Sequence, residues 1–93
     1  MVWVNIWEHK YNERYDYVES NLVRRYNEKF IDVVEFFRGY DSLIDEVDRT
    51  SEGVRIYSES LVRDDNPNNR GTTFHLSCTD RQARELMKIF GGR

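Results

Sequence analysis

Hydrophobic and polar positions alternate from the first residues of the chain, Val2-Trp3-Val4-Asn5-Ile6-Trp7. Successive side chains of a strand point to opposite faces, so Val2, Val4 and Ile6 share one face while Trp3 and Trp7 share the other. The pattern predicts a strand with one core face and a second face whose two indoles need some other cover. Glu8 to Asn12 is polar and reads as a turn. Apolar residues then recur in steps of three and four at Tyr15, Val18, Leu22, Tyr26, Phe30, Val33 and Phe37. This spacing predicts an amphipathic helix over Glu13 to Arg38, capped by Asn12 or by an Asp16–Glu19 capping box and stopped by Arg38-Gly39. Such a helix would be about 39 Å long at ~1.5 Å per residue, against about 23 Å for a seven-residue strand. A break is therefore expected, and Asn27 is the expected place. Val23, Ile31, Val34, Phe36 and Tyr40 widen the stripe, which points to burial by the sheet and by a second helix or subunit.

The middle of the chain alternates more than it winds. Leu43 to Val47 fits a strand or a helical turn equally well. Val54 to Ser58 is a better strand, expected to run on through Leu61 and Val62, and Thr50-Ser51-Glu52-Gly53 reads as a hairpin loop with Gly53 free to take φ > 0. Asp64 to Gly71 is dense in turn formers and reads as a flexible loop. It lacks the spacing of a calcium-binding EF-hand. Thr72 to Cys78 alternates Phe74, Leu76 and Cys78 against Thr73, His75 and Ser77, a half-buried strand. A Thr79–Gln82 capping box then opens a helix with Ala83, Leu86, Met87 and Phe90 on one face, ended by Gly91-Gly92.

These elements make an α+β two-layer sandwich: a mainly antiparallel sheet of about four strands, in chain order β-α-β-β-β-α, with both helices on one face. Val2, Val4, Ile6, Val54, Ile56, Phe74, Leu76 and Cys78 are expected on the inner face. Trp3, Asn5, Trp7, Arg55, Tyr57, Thr73 and His75 are expected on the other.

At 93 residues the chain fits a single domain, 1–93. Its 14% aromatic content lets so short a chain still bury a core. A single cysteine, Cys78, excludes an internal disulfide and fits a reducing compartment. With no leader-like or membrane-spanning stretch in view, the cytoplasm is the expected location.

The net charge of −3 is unevenly spread, with an acidic middle from Asp41 to Gly53 and a basic C-terminal helix. General nucleic-acid binding needs a concentrated basic footprint, which is absent: Arg55, Arg63 and Arg70 lie near Asp64 and Asp65. No catalytic constellation stands out. His75 and Cys78 are three apart and face opposite ways, His9 falls in the expected turn, and the three do not have metal-site spacing. No enzyme activity, metal or cofactor is expected.

What remains is a surface. Trp, Tyr and Arg together resemble binding hot spots. The acids offer complementarity to a basic protein site. The expected partner-binding residues are Trp3, Trp7, Arg55, Tyr57 and His75, with Asp41, Asp45, Glu46 and Asp48 as an acidic patch. The expected function is binding another protein, as an inhibitor or modulator of the phage, immunity or antitoxin kind that occludes a functional site. Two alternatives stand beside it: nucleic-acid stacking on the aromatic face, and a homodimer through that face.

Overall fold

A computed structural model describes residues 1–12, 14, 16–61 and 69–93. In chain order it holds β1 (Val2–Tyr11), β2 (Tyr17–Glu28), α1 (Phe30–Gly39), one 3₁₀ turn (Asp41–Leu43), β3 (Glu46–Arg49), β4 (Gly53–Ser58), β5 (Asn69–Ser77) and α2 (Asp80–Phe90). The strands form one antiparallel sheet of order β2-β1-β5-β4-β3. The α+β class is as expected. The sheet has five strands instead of four, and the order is β-β-α-β-β-β-α.

The extra strand occupies most of the expected long helix. From Tyr17 to Glu28 the chain pairs with β1, and only Phe30–Gly39 is helical. The reason lies in two irregularities of the β1–β2 ladder. Ile6 pairs with Arg24 but Trp7 with Leu22, and Lys10 pairs with Glu19 but Tyr11 with Tyr17, so Val23 and Val18 are extra residues on β2. Each bulge adds one residue to the period of two. Residues on one face of β2 then fall at 17, 20, 22, 25 and 27, steps of three and two that hide the alternation of a strand. The apolar Val18, Leu22 and Tyr26 that suggest a helix lie at a bulge and on opposite faces. The expected break at Asn27 lies two residues before Lys29, the extended N-cap residue of α1.

The expected turn at Glu8 to Asn12 is also strand as far as Tyr11. Its polar residues have partners across the sheet; Lys10, for example, is 3.7 Å from Glu19. Asn12 does not cap a helix. Its Oδ1 accepts from the backbone N–H groups of Arg14 (2.9 Å) and Asp16 (3.0 Å) and closes the β1–β2 hairpin. Asp16 and Glu19 form no capping box, because Glu19 lies within β2.

Further along, Leu43 to Val47 divides between the 3₁₀ turn and β3. β4 ends at Ser58 instead of continuing through Leu61, while Val62 and most of the Asp64–Gly71 loop lie outside the described residues, as do Glu13 and Tyr15. Gly53 is not in a positive-φ conformation. It is needed for another reason: a Cβ there would collide with the carbonyl oxygen of Leu76 on β5. The capping box of α2 is present, with Thr79 Oγ1 accepting from Gln82 N–H at 3.2 Å and Gln82 Oε1 accepting from Thr79 N–H at 3.1 Å.

Both helices pack on one face of the sheet. The buried cluster contains Val2, Val4 and Ile6 of β1, Val54 and Ile56 of β4, and Phe74 and Leu76 of β5. Against these lie Val33, Val34 and Phe37 of α1, Ala83, Leu86 and Phe90 of α2, and Ile44 and Val47 from the intervening segment. Cys78 packs against this cluster but is only partly buried. Among the described residues, the opposite face of the sheet carries no helix.

Candidate functional site

The uncovered face is ordered by the strand register. One row across the sheet runs Arg25–Asn5–His75–Arg55–Asp48, and the next runs Leu22–Trp7–Thr73–Tyr57–Glu46. Trp3 lies beyond the first row, between Asn27 and Ser77. The fold thus brings Trp3, Trp7, Arg55, Tyr57 and His75 onto one surface and adds Glu46 and Asp48 at its β3 end.

Trp3 is 42% exposed, and the Arg25 guanidinium lies 4.6 Å above its ring centroid. Trp7 is half-buried and meets the His75 ring edge-on, centroids 6.5 Å apart at 86°. Neither indole belongs to the buried cluster. Asn5 donates from Nδ2 to the His75 carbonyl at 3.3 Å, which ties β1 to β5 beneath the rings. A shallow depression lies between Asn5, Trp7, Arg25, Glu52, His75 and Ser77.

The other end of the face is built around His9. Its Nδ1 is 2.5 Å from Ser20 Oγ and its Nε2 is 2.6 Å from Thr73 Oγ1, while Tyr17 Oη reaches Ser20 Oγ at 2.8 Å. Both ring nitrogens are thus engaged with hydroxyls. Thr73 is buried under this network, and the Tyr57 ring lies 5.9 Å from the His9 ring. Gly71 makes room for Tyr57: it sits at φ +88°, and a Cβ there would fall 2.8 Å from the Tyr57 hydroxyl. Only a residue without a side chain fits both demands.

Burial lowers the pKa of His9 below its usual range, and the nearby Arg55 and His75 push it the same way. Burial and then Arg55 likewise lower His75, against a smaller opposing effect of Glu52. Burial raises the Tyr57 phenol, with Tyr11 and nearby carboxylates adding to it. Both imidazoles are therefore neutral near pH 7, and the fixed charges of the face are those of Arg, Asp and Glu.

The acidic residues do not form one patch. Glu46 and Asp48 each receive Arg55 Nη1, at 3.2 and 2.9 Å. Asp45 Oδ2 accepts from the backbone N–H of Glu59 at 2.7 Å. Asp41, on the 3₁₀ turn, pairs with Arg93 from the C-terminus. Glu46 and Asp48 belong to the uncovered face, whereas Asp41 and Asp45 are engaged elsewhere.

Sequence reasoning missed His9, Ser20 and Arg25. The local pattern puts His9 in a turn and the other two in a helix, because the bulges hide the register that places them beside Thr73 and Trp3. His75 and Cys78 are separated by the sheet, as their spacing implies. Burial raises the Cys78 thiol pKa, with Arg49 opposing and Asp80 reinforcing the shift. Among the described residues no cluster of three or more His, Cys, Asp and Glu side chains could hold a metal ion. No helix among them is long and apolar enough to cross a membrane.

A second, mostly apolar cavity of about 250 Å³ lies on the helix side, lined by Ile6, Arg24, Tyr26, Phe36 and Phe74 among others. It contains none of the expected site residues.

Fold and surface together define a small α+β module with an uncovered, aromatic and polar sheet face. No family model, curated protein or solved structure matches the chain.

Proposed function

We propose that this protein is a protein-binding module that docks through the uncovered sheet face, acting as an inhibitor or modulator by covering a functional site on its partner. One observation carries the reading: the uncovered face gathers Trp3, Trp7, Tyr57, Arg25 and Arg55 on a paired, rigid set of strands. Trp, Tyr and Arg are the residues that dominate measured binding hot spots. Strands hold them in place before the partner arrives, which limits the ordering cost of association.

The charge balance favours a protein over a nucleic acid. Arg25 and Arg55 face Glu46, Asp48 and Glu52, and Arg55 is already engaged by two carboxylates. A phosphate backbone would meet net negative charge there.

The test is affinity purification from the native host with the wild-type chain and with Trp3→Ala, Trp7→Ala and Glu46→Lys. Arg84→Ala, on the exposed side of α2, serves as the control. A partner retained by the control and lost or depleted with the face variants supports the reading. A partner set unchanged by all three face variants rejects it. Retention of single-stranded oligonucleotides, falling steeply with salt, would establish the stacking alternative instead.

A further inference from the structure

We infer that β2 is a self-pairing edge, and that two copies of this chain join antiparallel through Arg24–Glu28 to form a continuous ten-stranded sheet. This stands apart from the proposal for the uncovered face and uses a different surface.

The sheet has two edges, β2 and β3. The β3 edge is guarded in the usual ways: it spans only Glu46–Arg49, three of its four residues are charged, and those charges are held in ion pairs. The β2 edge is 12 residues long, and Tyr17, Val18 and Leu22 stand exposed on it. A long edge strand presents a row of backbone donors and acceptors that another strand can pair with.

The bulges at Val18 and Val23 interrupt much of this edge, but Arg24–Glu28 pairs with Val2–Ile6 without a break and is its longest regular stretch. An antiparallel pair places residues of the same face opposite each other. With the two-fold axis at Tyr26, Arg24 stands opposite the partner's Glu28, and Glu28 opposite the partner's Arg24. Arg25 meets the partner's Asn27, and Tyr26 meets its own copy. Directly opposed side chains in such a pair are close enough for ion pairing.

Within one chain these charges are not matched to each other. Among the described residues, Arg24 has no ion-pair partner and lies 4.7 Å over the Tyr26 ring. Glu28 has none either and accepts only from the neighbouring Lys29 N–H, at 3.1 Å. The segment is thus self-complementary in charge about its own centre. That is the requirement of an isologous contact.

Sedimentation equilibrium on the full chain, from low to high micromolar concentration and at low salt, tests this. The wild type is expected to show a monomer–dimer equilibrium that weakens with added salt. Arg24→Glu and Glu28→Arg should each weaken it by about tenfold or more, since each turns two attractive pairs into repulsive ones. The double swap R24E/E28R should restore it. Tyr26→Cys in a Cys78→Ser background should give a disulfide-linked dimer on oxidation. Circular dichroism confirms that each variant is folded, and Arg24→Gln and Glu28→Gln replace any that is not. A wild type that stays monomeric overturns the inference, as does a dimer indifferent to the single reversals or a double swap that fails to recover. A dimer abolished by Trp3→Ala and not by the reversals would assign self-association to the uncovered face instead.

Discussion

Replacing Trp3 with alanine tests whether the indole belongs to a surface or to the core. The ring is 42% exposed, so roughly half of its burial is at stake. Full burial of a large apolar side chain stabilises by about 1.5–3 kcal/mol, which leaves about 1 kcal/mol here. The Arg25 contact at 4.6 Å adds about 0.5–1 kcal/mol, the range for exposed cation–π pairs. The expected loss is therefore about 1–2 kcal/mol, or very roughly 5–15 °C in Tm for a domain of this size. A fully buried aromatic truncated to alanine loses about 3–5 kcal/mol. Urea unfolding followed by far-UV circular dichroism, with unchanged slope, measures the difference. Phe37→Ala provides the internal scale, because Phe37 is 1% exposed and contacts Phe74 and Phe90. A Trp3→Ala loss equal to that of Phe37→Ala would place the indole in the core and remove the docking surface.

Other expectations are more local. Phe36 and Phe37 are adjacent and chemically identical, but Phe36 is 41% exposed, so Phe36→Ala should cost at least about 2 kcal/mol less than Phe37→Ala by chemical denaturation. Gly53→Ala should destabilise by about 1–3 kcal/mol, because the new methyl group meets the Leu76 carbonyl; a neutral result would contradict the β4–β5 spacing. His9 and His75 bind protons less readily folded than unfolded, so their contribution is intact above the ordinary imidazole value of about 6.5 and is lost as pH falls through the lowered folded values. Wild-type stability should therefore drop as pH falls below about 6.5, and the slope should shrink in a His9→Gln/His75→Gln variant; an unchanged slope refutes the assignment.

The legible parts of the sequence were those where local pattern and tertiary placement agree. Val2 to Trp7 and Thr72 to Ser77 alternate without interruption, so their faces could be read residue by residue. Thr79 and Gln82 announce α2 by a side-chain exchange that needs no distant partner. Tyr17 to Glu28 failed because its two bulges are dictated by pairing with β1 and break the period of two, while the three-and-four spacing of Val18, Leu22 and Tyr26 falls on residues that the sheet places apart. His9 was lost for a related reason. Its partners, Ser20 and Thr73, are 11 and 64 residues away, and nothing local to Glu8-His9-Lys10 distinguishes a polar strand from a turn. Gly53 was correctly singled out for the wrong cause, since the neighbouring strand and not the loop conformation excludes a side chain. The acidic segment misled because charges adjacent in sequence are dispersed by the 3₁₀ turn and β3 to Arg93, the Glu59 backbone and Arg55.

The chemistry of the uncovered face also limits what can cover it. Arg55 is held between Glu46 and Asp48, His9 between two hydroxyls, and Asn5 against a backbone carbonyl. These groups keep those partners whether or not the face is wet, but among the described residues Arg55 Nε and Nη2 and the second Asn5 Nδ2 hydrogen are left for whatever covers the face to satisfy. The apolar area is divided among Trp3, Trp7, Leu22, Tyr17 and Tyr57, and polar Asn5, His75, Thr73 and Arg25 are interleaved with them in the strand register. A permanent subunit interface resembles a domain core cut in half, and this face does not. It resembles the aromatic and polar mixture of interfaces between separately stable proteins, in which a few rings carry the energy and the surrounding hydrogen bonds set orientation. A partner for it should present backbone or side-chain hydrogen-bonding groups between apolar patches. An affinity that survives Trp3→Ala and Trp7→Ala together would mean that the rings are not its anchors.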